Sequence, residues 1–339
     1  MTTTPVAIRQ LIPLGTQWGT TDPFLFCAHH LDHYPAANGR LGPQADLGGR
    51  QIGQDFAGID GWNMYHGSTV PGFPQHPHRG FETVTYVCRG WCDHSDSLGA
   101  QARFGEGDVQ WLTAGSGIVH SEMFPLFDTD GPNTLHLFQI WLNLPRADKL
   151  VDPYFSMLWS DDIPTVEIDC GVTVTVIAGV LASGEAMVEP PEPPPDSWAA
   201  GDNGVEIWHV RLDAGASWTL PAAVSGAERT IYLFEGESLE VAGDELPGGN
   251  GASLDPTVPC RLTAAAGPAE LMVLSGVPIA EPVAQYGPFV MNDRAGIEQA
   301  FRDYQANGFG GWPWPNDDPI HGDEVRRFAR RPDGALERP

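Results

Sequence analysis

Short apolar segments, many with β-branched residues at every second position, recur along most of the chain. Alternation of apolar and polar residues is typical of strands that bury one face. The predicted strands are Asp22–Ala28, Thr83–Cys88, Phe104–Leu112, Leu135–Leu144, Val172–Gly179, Val205–Leu212, Thr230–Phe234, Ser238–Ala242 and Leu271–Leu274. They fall into two groups, in residues of about 20–150 and 165–280, which predicts an all-β chain with two similar barrels.

The predicted strand Leu135–Leu144 has two faces of different character. One face carries Leu135, Leu137, Gln139, Trp141 and Asn143, and the other carries His136, Phe138, Ile140, Leu142 and Leu144. Because the second face is the more apolar, we expect it to point into a core. Gln139 alternates in phase with Trp141, so it can line a cavity.

Residues 292–308 have the periodicity of a helix instead. Their apolar residues at i, i+3, i+4 and i+7 are Ile297, Ala300, Phe301 and Tyr304. Asn292 or Asp293 can cap the start of this helix, and Gly308 can end it. We therefore predict a first barrel in residues 1–160, a second barrel in 161–291, and a short helix with a tail in 292–339.

Three stretches show little periodicity. Residues 34–70 are predicted to form a long loop, which is either a lid over a site or a surface excursion. Residues 190–195 are rich in proline and should be extended. The tail beyond Gly310 is rich in Trp and Pro and then in Arg, and we expect it to be mobile.

The net charge and the cysteines limit the binding partners and the cellular compartment that we expect for the protein. A formal net charge of −26 repels phosphate backbones, so we expect no direct binding of nucleic acid, although a protein partner is compatible with it. Five cysteines without a Cys-x-x-Cys pair indicate a reducing compartment. Met1–Gln10 lacks the pattern of a signal peptide, and no apolar run approaches the roughly 20 residues that span a bilayer. We therefore expect a cytoplasmic protein without a membrane segment.

The candidate chemistry lies in two short motifs at the ends of residues 72–122. His76 and His78 are two residues apart at the start of an apolar run, and His120 and Glu122 are two apart after another. Since strand side chains repeat every two residues, each pair projects from one face of its strand. Two neighbouring strands can bring three imidazoles and a carboxylate together, which predicts a metal site.

Glu82 competes with Glu122 for the fourth position. It lies four residues after His78, so alternation along one strand places both on the same face. Glu82 can be a ligand, a hydrogen-bond partner of an imidazole, or an ordinary salt-bridge residue. His94 lies in a predicted turn, and we interpret it as a turn or supporting residue rather than a ligand.

Imidazoles and a carboxylate suit one divalent ion of Fe, Zn, Mn, Ni, Co or Cu. Four protein ligands leave a six-coordinate metal two open positions, whereas structural zinc sites are closed and usually rich in cysteine. The pattern therefore indicates a catalytic or ligand-sensing site. The second group of strands carries His209 but neither of the two motifs.

Six segments resemble parts of the pirin family, a branch of the cupin superfamily: His76–Val87, Asp96–Gly99, Gly107–Met123, Leu142–Pro145, Gly287–Asn292 and the predicted helix at Ile297–Gln305. The resemblance extends from about residue 22 to 310. It implies a bicupin, that is, two tandem antiparallel β-barrels of the double-stranded β-helix (jelly-roll) type, with a metal in the first barrel alone. It also implies that His76, His78, His120 and Glu122 hold a single metal ion, commonly iron, which favours Glu122 over Glu82.

The resemblance also implies two kinds of activity. Some pirins are quercetin 2,3-dioxygenases, which open the flavonol ring with dioxygen and release carbon monoxide. Eukaryotic members look like redox-sensitive transcriptional cofactors that bind other proteins. Compared with typical pirins, the loop of residues 34–70 is long and can cover the pocket, and residues 190–195, 243–251 and the tail after Gly310 are also unusual.

Our first hypothesis is a dioxygenase that uses one divalent metal, most simply Fe(II), and acts on a flavonol or a similar chelating substrate with dioxygen. Glu122 or Glu82 would be the base for the hydroxyl proton of the substrate. The second hypothesis is a non-enzymatic protein that senses a metal or its redox state and acts through a protein partner. The third is a cupin with a vestigial metal and a different small ligand.

Overall fold

The structure is a computed structural model that describes residues 8–184 and 186–339. Most of the N-terminal segment considered above for a targeting signal therefore lies outside the described residues. Strands dominate the described part of the chain, which also contains one α-helix. Within that part, no helix is long and apolar enough to cross a membrane.

The strands are numbered along the chain. The first eleven are β1 Ile8–Pro13, β2 Gln17–Gly19, β3 Phe24–Tyr34, β4 Gly72–His78, β5 Phe81–Arg89, β6 Trp91–Asp96, β7 Gln101–Gly105, β8 Val109–Thr113, β9 Ile118–Met123, β10 Asn133–Asn143 and β11 Tyr154–Leu158. They are followed by β12 Thr165–Asp169, β13 Val172–Ala178, β14 Leu181–Ser183, β15 Ala186–Val188, β16 Glu206–Leu212, β17 Ser217–Leu220, β18 Glu228–Glu235, β19 Ser238–Val241, β20 Asp244–Pro247, β21 Asn250–Leu254, β22 Cys260–Thr263, β23 Ala269–Gly276, β24 Ala284–Tyr286, β25 Phe289–Met291, β26 Phe328–Arg330 and β27 Leu336–Glu337. Helix α1 is Arg294–Asn307, and short 3-10 turns lie at Ile59–Gly61, Trp198–Ala200 and Gly308–Gly310.

Two pairs of sheets form two barrels, and the predicted all-β fold is confirmed. The first barrel consists of two six-stranded sheets, ordered β11-β8-β5-β10-β3-β2 and β27-β26-β7-β6-β9-β4. Apolar side chains from both sheets, among them Val87, Phe104 and Leu112, form its buried cluster. The second barrel consists of a seven-stranded sheet, ordered β1-β21-β18-β23-β16-β13-β12, and a four-stranded sheet, ordered β17-β22-β19-β20.

The chain also divides into two compact units. One comprises Met1–Ala28, Ile140–Asn143 and Asp161–Ala280, and the other comprises His29–Gln139, Leu144–Ser160 and Glu281–Pro339. Strands β3 and β10 thus contribute residues to both units. Helix α1 and the tail belong to the unit that contains most of the first barrel. The limits at residues 160 and 291 stay predictions of domain boundaries.

The more apolar face of strand β10 is buried, as predicted, but the opposite face is buried as well and contributes to the cluster of the first barrel. Leu135 and Leu137 join the buried cluster of this barrel, and Gln139 lies on the same face. Phe138 and Ile140 on the opposite face are also fully buried. Because both faces are buried, the number of apolar residues on each face does not decide which one lines the barrel.

Helix α1 has the predicted caps. The Asp293 carboxylate accepts a hydrogen bond of 2.8 Å from the Gly296 amide, and Gly308 ends the helix at a φ of 58°. The tail, which we expected to be mobile, is instead paired with the first barrel. Strand β26 hydrogen-bonds to β7, and the Trp314 indole N–H donates to the Asp96 carbonyl at 2.9 Å.

Candidate metal centre

Strands β4 and β9 bring the predicted histidines together. The strands are antiparallel, with His76 opposite His120 and His78 opposite Ile118. The three imidazole centroids are 4.4 to 4.8 Å apart, and one nitrogen of each ring lies within 4.8 Å of the others. This group can hold a metal ion. The pairing register shifts between Phe73 and His76, which marks a bulge or a similar irregularity, and bulges re-aim side chains beside functional sites.

The environment of the imidazoles keeps them neutral, as metal ligands must be. Burial lowers the pKa of His78 and of His120 well below the usual value, and the neighbouring imidazoles lower both further. Burial also lowers the pKa of His76, although the Glu122 carboxylate partly opposes this effect. Neutral imidazole is the form that offers a lone pair to a divalent ion.

A hydrogen bond fixes the orientation of the His76 ring, whereas the His120 ring has no hydrogen-bond partner among the described residues. The His76 Nδ1–H donates to the Pro74 carbonyl at 2.9 Å, which leaves the lone pair on Nε2. His120 is fully buried, yet neither of its ring nitrogens has a hydrogen-bond partner among the described residues. A buried polar group without a partner is costly and needs an explanation, and a metal ion supplies one. The residues present therefore fit a divalent metal.

Glu122 lies beside this group. Its Oε2 atom is 3.8 Å from the His120 Nε2 atom. The Gln139 amide donates to Oε2 at 2.7 Å, and the Thr85 hydroxyl donates to Oε1 at 3.1 Å. Two donors on neighbouring strands thus hold the carboxylate in one orientation. The alternation of β10 had indicated that Gln139 can line a cavity, whereas no pattern in the sequence singled out Thr85.

Glu82 does not continue the alternation that begins at His78. Strand β4 ends at His78, and the chain turns through Gly80, which has a φ of 85°, before β5 begins at Phe81. Glu82 then lies three residues from Thr85, on the opposite face of β5, and accepts a hydrogen bond of 2.7 Å from the Thr113 hydroxyl. A role for Glu82 in the chemistry stays a prediction.

Two further polar residues face the same interior. His94 lies opposite Glu122 on β6, donates or accepts at 3.0 Å with Asp96, and has its ring 5.4 Å from that of His120. Gln110 lies opposite Thr85 on β8 and is fully buried, with no partner for its amide among the described residues. The signal for Gln110 was present in the sequence, because a glutamine between apolar strand residues stands out as an interior polar position.

The site also has a support outside the barrel strands. The Arg79 guanidinium donates to the Asp303 carboxylate of α1 at 2.7 Å and to the Ser116 carbonyl at 2.6 Å. It also lies over the Phe309 ring, 4.5 Å from its centroid. Helix α1 thereby braces the turn that follows His78.

Comparisons with known proteins agree with this fold. The family model for pirin matches residues 9–142, and that for the pirin C-terminal cupin domain matches residues 207–310. A Pseudomonas aeruginosa protein that is named as a candidate quercetin 2,3-dioxygenase is 40% identical over 243 residues, which cover 70% of this chain and 79% of the relative. Pirin of Rattus norvegicus is 34% identical over 265 residues, which cover 74% of this chain and 82% of the relative.

A solved structure shows the same architecture. The crystal structure of quercetin 2,3-dioxygenase from Acinetobacter baumannii has a TM-score of 0.70 and 25% sequence identity, and it covers 90% of this chain and 98% of that one. The two barrels and their matched family models define a bicupin, as predicted. The chain belongs to the pirin family.

Proposed function

We propose that the protein is a metal-dependent dioxygenase of the quercetin 2,3-dioxygenase kind, which acts on a flavonol or a similar chelating compound. The observation that carries the proposal is the set of three imidazoles within 4.8 Å of one another, beside a carboxylate held by two donors. The names of the Pseudomonas and Acinetobacter proteins support the choice of reaction.

His76, His78, His120 and Glu122 would hold one divalent ion, which we propose to be Fe(II), although the same ligands accept Zn, Ni, Mn, Co or Cu. When bound, such an ion acts as a Lewis acid toward the chelating oxygens of a flavonol and holds the substrate for reaction with dioxygen. The protein keeps water away from this part of the site, because His78 and His120 are 3% and 0% exposed. Exclusion of water strengthens electrostatic interactions at such a site.

The proposed base is Glu122, which would accept the hydroxyl proton of the substrate. The Gln139 amide and the Thr85 hydroxyl keep its oxygens oriented, and both partners lie within 3.1 Å. A base must be within hydrogen-bond reach of its proton, and such orientation reduces the cost of reaching that geometry. Glu82 stays the alternative base, although it lies on the other face of β5.

Uptake of dioxygen tests the proposal. Protein loaded anaerobically with Fe(II) should consume dioxygen when quercetin is added, in step with the loss of quercetin, and metal-free protein should not. Firm binding of one metal without any uptake would contradict the dioxygenase. It would favour the alternative, a metal- or redox-sensing protein that acts through a protein partner. Location in the cytoplasm is likewise our proposal.

A further inference from the structure

The three imidazoles differ in their access to solvent. His78 and His120 are almost fully buried, whereas His76 is half-buried. A ligand that approaches the centre from solvent therefore passes beside His76. The side chains around His76 then decide what kind of ligand can bind.

Aromatic rings line this approach. The Phe73 ring is 6.3 Å from that of His76, and it is in turn 5.7 Å from His66 and 6.3 Å from Phe56. Phe56 and His66 are 5.1 Å apart and nearly perpendicular. We call Phe56, His66 and Phe73 the aromatic rim. It runs from the exposed surface to the half-buried His76.

The loop that carries Phe56 and His66 is held firmly. The Arg50 guanidinium forms a buried ion pair of 2.8 Å with Asp55, the residue before Phe56, and lies 3.3 Å over the Trp62 ring. Tyr65, the residue before His66, donates a hydrogen bond of 2.6 Å to the buried Asp32. Both rim residues are thus flanked by anchored neighbours.

The conformation at Tyr65 is strained, and Phe56 is exposed. Tyr65 has a φ of 57°, which is uncommon for a residue with a side chain. Phe56 is 53% exposed although its loop is packed. Backbone strain is typical of functional sites, and the exposed Phe56 ring is connected through the Phe73 ring to the half-buried His76.

We propose that the aromatic rim stacks on a planar aromatic ligand bound beside His76, and so selects aromatic chelating compounds over aliphatic ones. This inference rests on the proposed function, because it takes the three imidazoles as the place where the chelating group binds. It assigns residues of the long loop, chiefly Phe56, as the specificity determinant of that site.

Two hydroxamates that share one chelating group test this inference. Full-length protein loaded with Ni(II) is titrated under nitrogen with benzohydroxamate and with acetohydroxamate, which differ in the presence of a ring. The wild-type protein should bind benzohydroxamate about tenfold more tightly. Phe56→Ala should reduce that preference about three- to tenfold without changing the affinity for acetohydroxamate. Phe56→Tyr should restore it.

Ile52→Ala is the matched control, since Ile52 lies in the same loop and is 43% exposed. It should leave the preference unchanged. Equal affinity of the wild-type protein for the two hydroxamates, failure to bind either, or an equal loss of both in Phe56→Ala would overturn the inference. If the protein preferred the aromatic probe but did not consume quercetin, the proposed dioxygenase reaction would be wrong. The aromatic rim would still be supported as a ligand-binding element.

Discussion

The two barrels have the same type of fold but different interiors. In the second barrel the buried cluster is apolar and includes Val174, Val210 and Ile231. In the first barrel, buried His120 and Glu122 lie close to a cluster of the same apolar kind. Buried polar groups without partners cost about 1–3 kcal/mol each. The second barrel also buries polar groups, such as Arg229 and Glu206 in an ion pair of 2.6 Å, but its described residues contain no group of three imidazoles. The histidine group of the first barrel therefore points to chemistry rather than to stability.

The largest expected effect is on metal content, when a histidine of the first barrel and one of the second barrel are each replaced by alanine. His78→Ala removes one of three imidazoles, so the metal content should fall from about one ion per chain to nearly none. His209→Ala, in the second barrel, removes a ring that bonds to Glu270 at 2.8 Å and should keep the metal. Elemental analysis of dialysed protein measures both. Iron retained by His78→Ala would disprove the ligand assignment.

A substitution in the core of the second barrel should lower the stability of the protein without changing its metal content. Ile231→Ala creates a cavity at a fully buried position and should lower the free energy of unfolding by about 2–5 kcal/mol. Val258→Ala, at a residue that is 42% exposed, should change it by less than about 0.5 kcal/mol. Denaturant unfolding monitors stability, and calorimetric titration monitors the metal. Loss of metal in Ile231→Ala would mean that the two properties are not separable.

A smaller effect is expected from the residues that orient the carboxylate. Gln139→Leu removes the donor to the Glu122 Oε2 atom and should weaken metal binding about 10- to 100-fold, because it changes a support and not a ligand. Gln285→Leu, at an exposed position, serves as the control. Calorimetric titration with Ni(II) gives the affinities. Unchanged affinity in Gln139→Leu would show that the two donors do not position Glu122 for the metal.

The smallest effect concerns pH. Burial lowers the pKa of His30 from 6.5 to about 4, so between these values the unfolded chain binds a proton that the folded chain does not. The free energy of unfolding should therefore fall as the pH falls through 6.5, by about 1–2 kcal/mol for this residue at pH 5. Burial raises the pKa of Asp32 to about 6, which acts in the opposite direction.

Comparison with His30→Gln isolates this contribution, since Asp32 is present in both proteins. Denaturant midpoints at pH 7.5 and 5.0 should differ less in the variant than in the wild-type protein. A difference of the same size in both proteins would show that His30 does not contribute to the pH dependence.

The sequence predicted the barrels, the helix and the histidine cluster because each depends on local periodicity. His76 and His78, and then His120 and Glu122, repeat every two residues within strands β4 and β9. The prediction for Glu82 relied on the same rule but counted through a turn at Gly80, where alternation is broken. Alternation counted through a turn does not predict the face of a side chain, because the strand after the turn starts a new alternation.

Other features depend on contacts between distant residues. Strand β3 runs to Tyr34, beyond the predicted end at Ala28, and leads into the long loop. The position of that loop follows from Tyr65, whose hydroxyl bonds to Asp32 thirty-three residues away. The tail is held in the same manner, because Asp317 accepts a hydrogen bond from Gln75. No periodicity along the chain encodes such pairings.

The most direct test of the central claim is the X-ray absorption spectrum of the full-length protein loaded with one Ni(II). The spectrum reports the atoms that surround the metal. We expect about three imidazole nitrogens together with oxygen ligands, and loss of one imidazole in His120→Ala. A sulfur ligand, or an unchanged number of imidazoles in that variant, would contradict a metal centre built on His76, His78 and His120.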